Sequence, residues 1–386
     1  MKIVIQLILV TLLFSCNHQY GNTVNQAITH EKIEFSSKLT PYKLHDVFQN
    51  IKSIPLETNE KSFITSIEKI RVFNEEFYIL DAITNNLYVF NKNGKFMHKI
   101  GSIGSGPNEF QNIVDFEIDY LENSVVALDI DKRALLYFKP DGEYITTVSL
   151  PFQAYRFSIL NNHIALYTGY YNDDFVNLVI VDKNMNIIKK LFPYPQEGVD
   201  LMKFSFTGHI TNNGEQFIYS DALSSNIHKL DIDGVETNNY EINFVSNTLL
   251  ENDIYKHDDF FEKIKRGQLN YLRKDFEVTS NNIVFEYNEA TFGQNKIVKK
   301  LRTGFYLKKE NELLTYKNFP TSTVLELISG PKGLINQTDF ISIIEHDKFK
   351  NYIERQGILD EEYLQYYSQS KSSEELNPIL FIYSLK

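Results

Sequence analysis

The sequence predicts an all-β fold, a six-bladed β-propeller whose four-stranded blades carry small helical insertions. The composition favours strands, since the 386 residues include 29 Phe and 24 Tyr but no Trp, and aromatic side chains pack well on a pleated surface. A unit of short apolar stretches separated by tight turns recurs along the chain. Apolar segments near both ends complete the pattern, because together they can form one further blade.

The repeated unit contains an aspartate after one apolar stretch and a glycine after the next. Three copies align without gaps, and in each the Asp precedes the Gly by 13 residues: Asp81 and Gly94, Asp129 and Gly142, Asp221 and Gly234. An Asn-Gly or Asp-Gly pair supplies positive φ and closes a hairpin. A weaker copy turns at Met185, so successive turns lie 48, 43 and 49 residues apart. This period is typical of propeller blades, whereas unrelated hairpins in a sandwich, the alternative, would not repeat one spacing.

Two further blades and the ring closure follow from shorter apolar stretches. The fifth blade is predicted from Asn282–Glu286, Gly304–Leu307 and Leu313–Tyr316, and the sixth from Ser322–Leu327 and Phe340–Ile344. Pairing of Ile51–Leu56 with the terminal strand Pro378–Lys386 would remove two exposed sheet edges. Helical insertions are predicted at about 251–275, where apolar residues recur at helical spacing, and at about 346–376, where the chain is polar and helix-like.

The first sixteen residues are predicted to be an export signal. Lys2 gives a positive start, and the apolar run from Ile3 to Leu13 is too short to span a bilayer. The ending Leu13-Phe14-Ser15-Cys16 resembles a bacterial lipobox, in which the cysteine is lipidated. We therefore predict Cys16, the sole cysteine, as a lipidation site. The predicted organisation is a lipoprotein signal peptide over 1–16, a tether over 17–40 and the propeller over 41–386.

Four segments resemble those of the six-bladed β-propeller lipoproteins of Bacteroidetes, relatives of NHL-repeat and TolB-like propellers. They are Ile54–Thr58, Phe77–Asp81, Gly104–Phe110 and Asn377–Tyr383. The resemblance implies an exported, membrane-tethered propeller, often found near glycan or peptide uptake systems, and it transfers no catalytic residue. Gly104–Phe110 is predicted to link blades one and two through a Gly/Pro turn anchored by Phe110. It lacks the Lys and Ser/Thr of a phosphate-binding loop.

No stretch of the sequence forms a recognisable catalytic or metal-binding motif. The nine His residues show no metal-ligand spacing, and a structural role is expected for His228. The pairs Asp129/Asp131 and Asp231/Asp233 lack the further ligands of a calcium loop and are expected in hairpins. The recurring Asp81, Asp129 and Asp221 are predicted to accept hydrogen bonds from turn amides, with a channel metal as the alternative. We predict no metal and no cofactor, and we assign no catalytic or ligand-binding residues.

Charge and motif content narrow the function without identifying a ligand. The formal charge of −11, from 39 basic and 50 acidic residues, offers no basic stripe for nucleic acid. We predict a non-enzymatic binding or scaffold module for a glycan, a peptide or a partner protein of an envelope uptake complex. The alternative is a lactonase-like hydrolase or lyase that uses channel carboxylates or a divalent metal. We expect the protein in the cell envelope, attached to the membrane by its lipid; the lack of acidic residues directly after Cys16 favours a periplasm-facing anchor over the cell surface.

Overall fold

The computed structural model of the chain describes residues 28–35, 41–170, 172–196, 208–244, 262, 269–293, 296–319, 325, 327–356 and 376–386. Over these residues, six small antiparallel sheets are arranged as a six-bladed β-propeller, which confirms the predicted fold class.

The first part of the chain forms an N-terminal segment and blades 1 to 3. The N-terminal segment comprises β1 (Thr29–Glu34), helix α1 (Leu44–Val47) and β2 (Phe48–Pro55). Blade 1 comprises β3 (Lys69–Phe73), β4 (Glu76–Asp81), β5 (Asn86–Asn91) and β6 (Phe96–Ile100), and it is followed by a short link of β7 (Ser102–Ile103) and β8 (Glu109–Phe110). Blade 2 comprises β9 (Ile113–Asp119), β10 (Ser124–Asp129), β11 (Ala134–Phe138) and β12 (Tyr144–Ser149). Blade 3 comprises β13 (Arg156–Leu160), β14 (His163–Tyr167), β15 (Val176–Asp182) and β16 (Ile187–Pro193).

The second part forms blades 4 to 6. Blade 4 comprises β17 (His209–Asn212), β18 (Phe217–Ser220), β19 (Asn226–Leu230) and β20 (Glu236–Asn243). Blade 5 comprises β21 (Leu269–Val278), β22 (Asn282–Gly293), β23 (Lys296–Leu307) and β24 (Glu312–Thr315), followed by a 3-10 turn (Tyr316–Asn318). Blade 6 comprises β25 (Gly333–Ile335), β26 (Asp339–Ile344) and, after helix α2 (His346–Gln356), β27 (Ile379–Leu385).

The first strand of each blade lies innermost, and these strands form the wall of a central channel. Neighbouring inner strands β3, β9, β13, β17 and β21 contact one another in turn, and β25 contacts β3. The Ile70 backbone amide donates to the Lys332 carbonyl oxygen at 2.9 Å, which joins blade 1 to blade 6. The ring is therefore closed around its axis.

Closure of the ring combines both ends of the propeller in blade 6, as predicted. Strand β2 pairs antiparallel with β27, and β27 pairs with β26. The fully buried Asn377, just before β27, fixes this junction: its Oδ1 accepts from the Ile64 amide at 2.8 Å and its Nδ2 donates to the Glu57 carbonyl oxygen at 2.8 Å. In the adjoining hairpin, Gly94 has φ 76° and lies against the Pro55 carbonyl, where a side chain would collide. The β5–β6 hairpin of blade 1 thus packs directly on the end of β2.

The hydrophobic core consists of separate apolar clusters between adjacent blades. One cluster of buried side chains occupies each of the six blade-to-blade interfaces in the described part of the chain. Between blades 1 and 2, Phe110 from the predicted Gly/Pro link packs on Phe138 at 5.3 Å between ring centroids. The Gly106 amide of this link donates to a Glu109 carboxylate oxygen at 2.7 Å. An acidic side chain therefore takes the loop amide that a phosphate would need. This confirms the prediction that the segment is a structural link between blades.

The prediction of a tether over 17–40 is wrong for residues 29–34, which form a strand. Strand β1, at 29–34, pairs parallel with β20 and gives blade 4 a fifth strand. Ile33 is fully buried in the cluster between blades 4 and 5, and Asn238 donates to Glu31 at 2.7 Å. The polar sequence concealed this strand because only one of its side chains enters the core, while its backbone covers the otherwise open edge of blade 4.

Two predictions in the last third of the chain need correction. The predicted helical insertion at 251–275 extends too far, because the chain is already in β21 from Leu269 onward; most of its earlier residues lie outside the described ranges. The predicted strand Ser322–Leu327 is also wrong where it is described, since Leu325 lies in a 3-10 turn and β25 supplies the inner strand of blade 6. Helix α2 confirms the beginning of the insertion at 346–376, and residues 357–375 lie outside the described part. Among the described residues, no helix has both the length and the apolar character needed to cross a membrane.

Candidate functional site in the central channel

Polar and apolar side chains alternate along the inner strands. The apolar members enter the clusters between blades, and they include Ile70, Phe116, Phe157, Ile210 and Phe276. Because successive side chains of a strand point to opposite faces, the residues between them face the axis. These are mostly charged, and they comprise Lys69, Arg71, Asp115, Glu117, Arg156, His209, Thr211, Asp275 and Glu277. The channel is therefore lined by ionisable groups from several blades.

Glu117 is the centre of the deeper layer of this channel. Its carboxylate accepts from Arg71 Nε and Nη2, both at 2.7 Å, and lies 2.6 Å from Lys69 Nζ. Burial alone would raise the pKa of Glu117, but the charges of Arg71 and Lys69 lower it below its ordinary value. The bidentate geometry is the strongest form of a carboxylate–guanidinium contact. These three residues form a fixed ion-pair unit between blades 1 and 2.

Glu277, from blade 5, lies on the other side of Arg71. Its Oε1 is 3.7 Å from Arg71 Nη1, and Thr211 Oγ1 donates to its Oε2 at 3.4 Å. Burial raises the pKa of Glu277 to about 7, an effect that Arg71 opposes and the nearby Glu117 charge reinforces. Arg71 makes its short contacts with Glu117, so it compensates Glu277 only weakly. Glu277 is thus the channel carboxyl that takes up a proton near neutral pH.

A second layer lies at the end of the channel where the inner strands begin, which we call the channel mouth. Glu68 accepts hydrogen bonds from both Arg156 of blade 3 and Lys274 of blade 5. Burial opposes ionisation of Glu68, but the charges of these two cations lower its pKa to about 2. A residue of blade 1 is therefore held ionised by side chains from two other blades.

Two more ion pairs complete the mouth. Lys69 Nζ donates to Asp115 Oδ1 at 2.8 Å, and the second oxygen of Asp115 accepts from the Phe157 amide at 2.9 Å. Lys332 Nζ donates to Asp275 Oδ2 at 2.6 Å, which joins blades 6 and 5. Burial opposes ionisation of Asp275, and the Lys332 charge nevertheless lowers its pKa. Each mouth carboxylate thus has at least one cationic partner.

This arrangement suits neutralised structural charges better than a metal centre. A divalent cation needs several carboxylate or imidazole groups that converge on one point. Among the described residues, no three His, Cys, Asp or Glu side chains converge in this way. The channel carboxylates instead alternate with lysines and arginines that would repel a metal ion.

The recurring aspartates lie away from this site. Asp81 ends β4 and accepts from the amides of Thr65 and Ile83 at 2.6 and 3.1 Å. Asp129 ends β10 and accepts from the Gln111 amide at 2.6 Å and from the turn that follows. Both therefore satisfy turn amides, as predicted.

Asp221 occupies the equivalent position in blade 4 but has a different environment. It accepts from the Ala222 amide at 2.7 Å and from the Asn177 side chain of blade 3. Burial among tyrosines raises its pKa to about 6. Asp221 thus links two blades instead of capping an incoming strand, and it lies in the second strand position, away from the axis.

The remaining motifs have local roles. Asp231 Oδ1 accepts from the amides of Asp233 and Val235 at 3.0 and 2.7 Å, which confirms a hairpin turn. His228 Nδ1 lies 2.7 Å from Glu236 Oε1, which confirms a structural histidine. Cys16, the predicted lipidation site, lies outside the described residues.

Sequence reasoning missed the channel residues, although one signal pointed to them. Each of several inner strands alternates ionisable and apolar residues, as in Lys69-Ile-Arg71, Asp115-Phe-Glu117 and Asp275-Phe-Glu277. A strand with one charged face at the start of several blades places those faces on a common axis. The opposite signs of the faces indicate that they pair with one another.

The fold and the channel together define a six-bladed β-propeller with a charge-compensated axis. Residues 30–384 match the family described as "Domain of unknown function (DUF4934)". Because this match spans nearly the whole chain, the protein belongs to that family. No curated protein matches the sequence.

Solved structures with the same architecture are similar over most of their length. An exported protein from Bacteroides fragilis superposes with a TM-score of 0.72 at 20% identity, covering 93% of this chain and 100% of that chain. A DUF4221 family member from Bacteroides vulgatus has a TM-score of 0.56 at 11% identity, covering 88% of this chain and 98% of that chain. At these identities the similarity concerns the fold.

Glu277 should make the stability of the protein fall as the pH rises through neutrality. Its pKa of about 7 in the folded chain exceeds the ordinary value of 4.5, so folding favours the protonated form. Its contribution is complete below pH 4.5 and is lost as the pH rises through 7. We expect Glu277→Gln, which stays neutral, to be more stable than the wild type at pH 8 by about 1–3 kcal/mol and similar to it near pH 4.5.

The measurement is the difference in unfolding free energy between variant and wild type from pH 4.5 to 8, since this difference cancels other titrating groups. The exposed Glu75, paired with Lys92 at the surface, provides the control variant Glu75→Gln, which should show no trend. A Glu277→Gln variant less stable than the wild type at pH 8 would contradict the assignment.

Proposed function

We propose that the protein is an exported, lipid-anchored propeller that acts as a non-enzymatic binding module for a glycan, a peptide or a partner protein. The binding face is the end of the propeller that contains the channel mouth. Ile83, on the loop after β4 at this end, is 66% exposed. Exposed loops on a rigid scaffold commonly carry recognition.

The observation that carries the proposal is the mutual pairing of the channel charges. A propeller hydrolase or lyase would need a carboxylate free to move a proton or hold a metal. Glu68, Asp115, Glu117 and Asp275 instead each contact a lysine or arginine at hydrogen-bond distance. Glu277, the channel carboxyl that titrates near neutral pH, is buried in the deeper layer and therefore not exposed to a substrate. Binding by the loops around the channel leaves these pairs intact, whereas catalysis within it would have to disrupt them. The hydrolase or lyase alternative is therefore not favoured.

Export and anchoring are supported by two independent features. The solved structure that superposes at a TM-score of 0.72 is that of an exported protein. The N-terminal sequence ends a short apolar run at Cys16 with the predicted lipobox. Lipid attachment would hold the propeller at a membrane surface in the cell envelope, with the periplasmic side favoured by the uncharged Asn17-His18-Gln19-Tyr20.

Ligand screening tests the binding role directly. The full chain, purified in mild detergent, should bind an oligosaccharide or peptide from immobilised arrays in a saturable manner and release it chemically unchanged by mass spectrometry. Ile83→Ser should weaken this binding roughly fivefold, because an exposed apolar contact is lost. The matched control Leu121→Ser alters an equally prominent residue, 59% exposed, on the β9–β10 turn at the opposite end. Conversion of the ligand, or equal loss in both variants, would contradict the proposal.

Lipid anchoring depends on one side chain and has its own test. Cys16→Ser should move the protein from the membrane fraction to the soluble fraction, because a serine hydroxyl cannot form the thioether. The control Ser15→Ala keeps the cysteine and a small preceding residue, and it should remain membrane-bound. The mass of the N-terminal peptide reports the lipid. A wild-type peptide without lipid would contradict the anchor while leaving the binding role untouched.

A further inference from the structure

The channel mouth contains a small pocket whose charges do not balance. The cavity there is open to solvent and has a volume of only about 20 Å³. Four cationic side chains line it, Lys69, Arg156, Lys274 and Lys332, against three carboxylates, Glu68, Asp115 and Asp275. The one excess positive charge lies beside Glu68, because this single carboxylate accepts hydrogen bonds from both Arg156 and Lys274. Lys274 Nζ has three donors, so it can keep its contact with Glu68 and donate to a ligand as well.

His209 adds an unpartnered donor to the same pocket. It begins β17, and its ring packs edge-on against Phe276 at 4.6 Å between centroids. Its Nε2 is buried, and no group in the described part of the chain forms a hydrogen bond with it. A buried polar nitrogen without a protein partner is costly, so this atom favours a ligand group that can form a hydrogen bond with it.

The electrostatic environment of His209 shows what kind of ligand fits. Burial lowers the pKa of His209 well below its ordinary value, and the charges of Lys69, Arg71, Arg156 and Lys274 lower it further. The imidazole is therefore neutral, first because it is buried and second because cations surround it. A neutral imidazole that carries its proton on Nε2 can donate to an oxygen of negative charge.

We propose that this pocket binds the carboxylate group of the ligand that docks on the propeller face, with Lys274 and His209 Nε2 as its donors. A monoanion matches the single surplus cation, and a carboxylate offers two acceptor oxygens to two donors. The small volume admits one such group and not a whole ligand. This inference rests on the proposed function, because it gives the chemistry by which that face selects its ligand.

Acetate is the probe for the pocket, with acetamide as the neutral control of equal shape. In titrations of the full chain followed by NMR, acetate should shift the His209 imidazole signals in a saturable manner and acetamide should not. Lys274→Met should weaken acetate binding at least tenfold by removing the surplus charge. Glu68→Gln should strengthen it severalfold, because it removes the internal carboxylate that competes for Lys274 and Arg156. A purely structural role for these residues predicts no gain.

The His209 variants separate hydrogen bonding from packing. His209→Gln retains an N–H donor and should still bind acetate, whereas His209→Phe retains the ring against Phe276 and should lose binding at least tenfold. Circular dichroism and melting curves verify that each variant is folded. The exposed Lys92→Met is the control for loss of a distant cation.

Three results of the anion titrations would contradict the proposed carboxylate pocket. These are no saturable shift with acetate, no gain in Glu68→Gln, or tighter binding of inorganic phosphate than of acetate, which would assign a different anion. The proposed function fails separately: an array ligand that binds equally as its carboxylate and its amide would leave the binding module intact and remove the carboxylate pocket. If no array ligand binds but acetate does, the pocket stands and the proposed function fails.

Discussion

The ion pairs that cross the channel are the constraint on which the rest of the structure depends. Six inner strands must converge on one axis. Four of them, β3, β9, β13 and β21, bring charged side chains there, and Lys332 directly precedes β25. A buried charge without a partner costs several kcal/mol, so the blades fit together only in the arrangement that pairs Lys69 with Asp115, Arg71 with Glu117 and Lys332 with Asp275. The pairs do not have to add stability relative to an apolar channel; they specify which blade faces which.

The apolar clusters between adjacent blades complement the ion pairs of the channel. Each wedge of buried side chains between blades follows from the same alternation that sends the charges inward. The closing blade then combines β2 with β27, and Asn377 holds the loop that connects them to blade 1. The apolar interfaces are close-packed, and the paired charges add directional contacts between particular blades. The core therefore provides most of the burial, and the channel provides the register.

The sequence predicted those parts of the fold that are local. The hairpins of blades 1 to 4 follow from turn residues at fixed spacing, and the terminal strand β27 was predictable because it is apolar over seven residues. Strand β1 was missed because its side chains are polar and its pairing with β20 is distant. The inner strand of blade 6 was placed too early because β25 has only three residues. Its partner and the ring, more than its own sequence, determine its position.

The candidate site was not predictable in the same way. Glu68 meets Arg156 across 88 residues and Lys274 across 206, and no local pattern specifies such partners. The alternation along the inner strands indicates that charged side chains reach the axis. It does not indicate which of them pair or where one cation is in excess of the carboxylates. That surplus depends on Glu68, which directly precedes β3, and on Lys274 within β21, and only the assembled ring brings them together. The proposed function rests on the same point, since paired charges favour recognition at the mouth over chemistry inside the channel.

A double-mutant cycle on Arg71 and Glu117 tests most directly whether the channel charges hold the blades in register. The single variants Arg71→Met and Glu117→Met should each lower the free energy of unfolding by about 3–5 kcal/mol, because each deprives one buried charge of its bidentate partner and leaves it only a weaker contact, with Lys69 or Glu277. The double variant should cost far less than their sum, with a coupling energy of at least about 2 kcal/mol. Additive losses of less than about 1 kcal/mol each would contradict the account, since they would mean that these charges are not buried against one another.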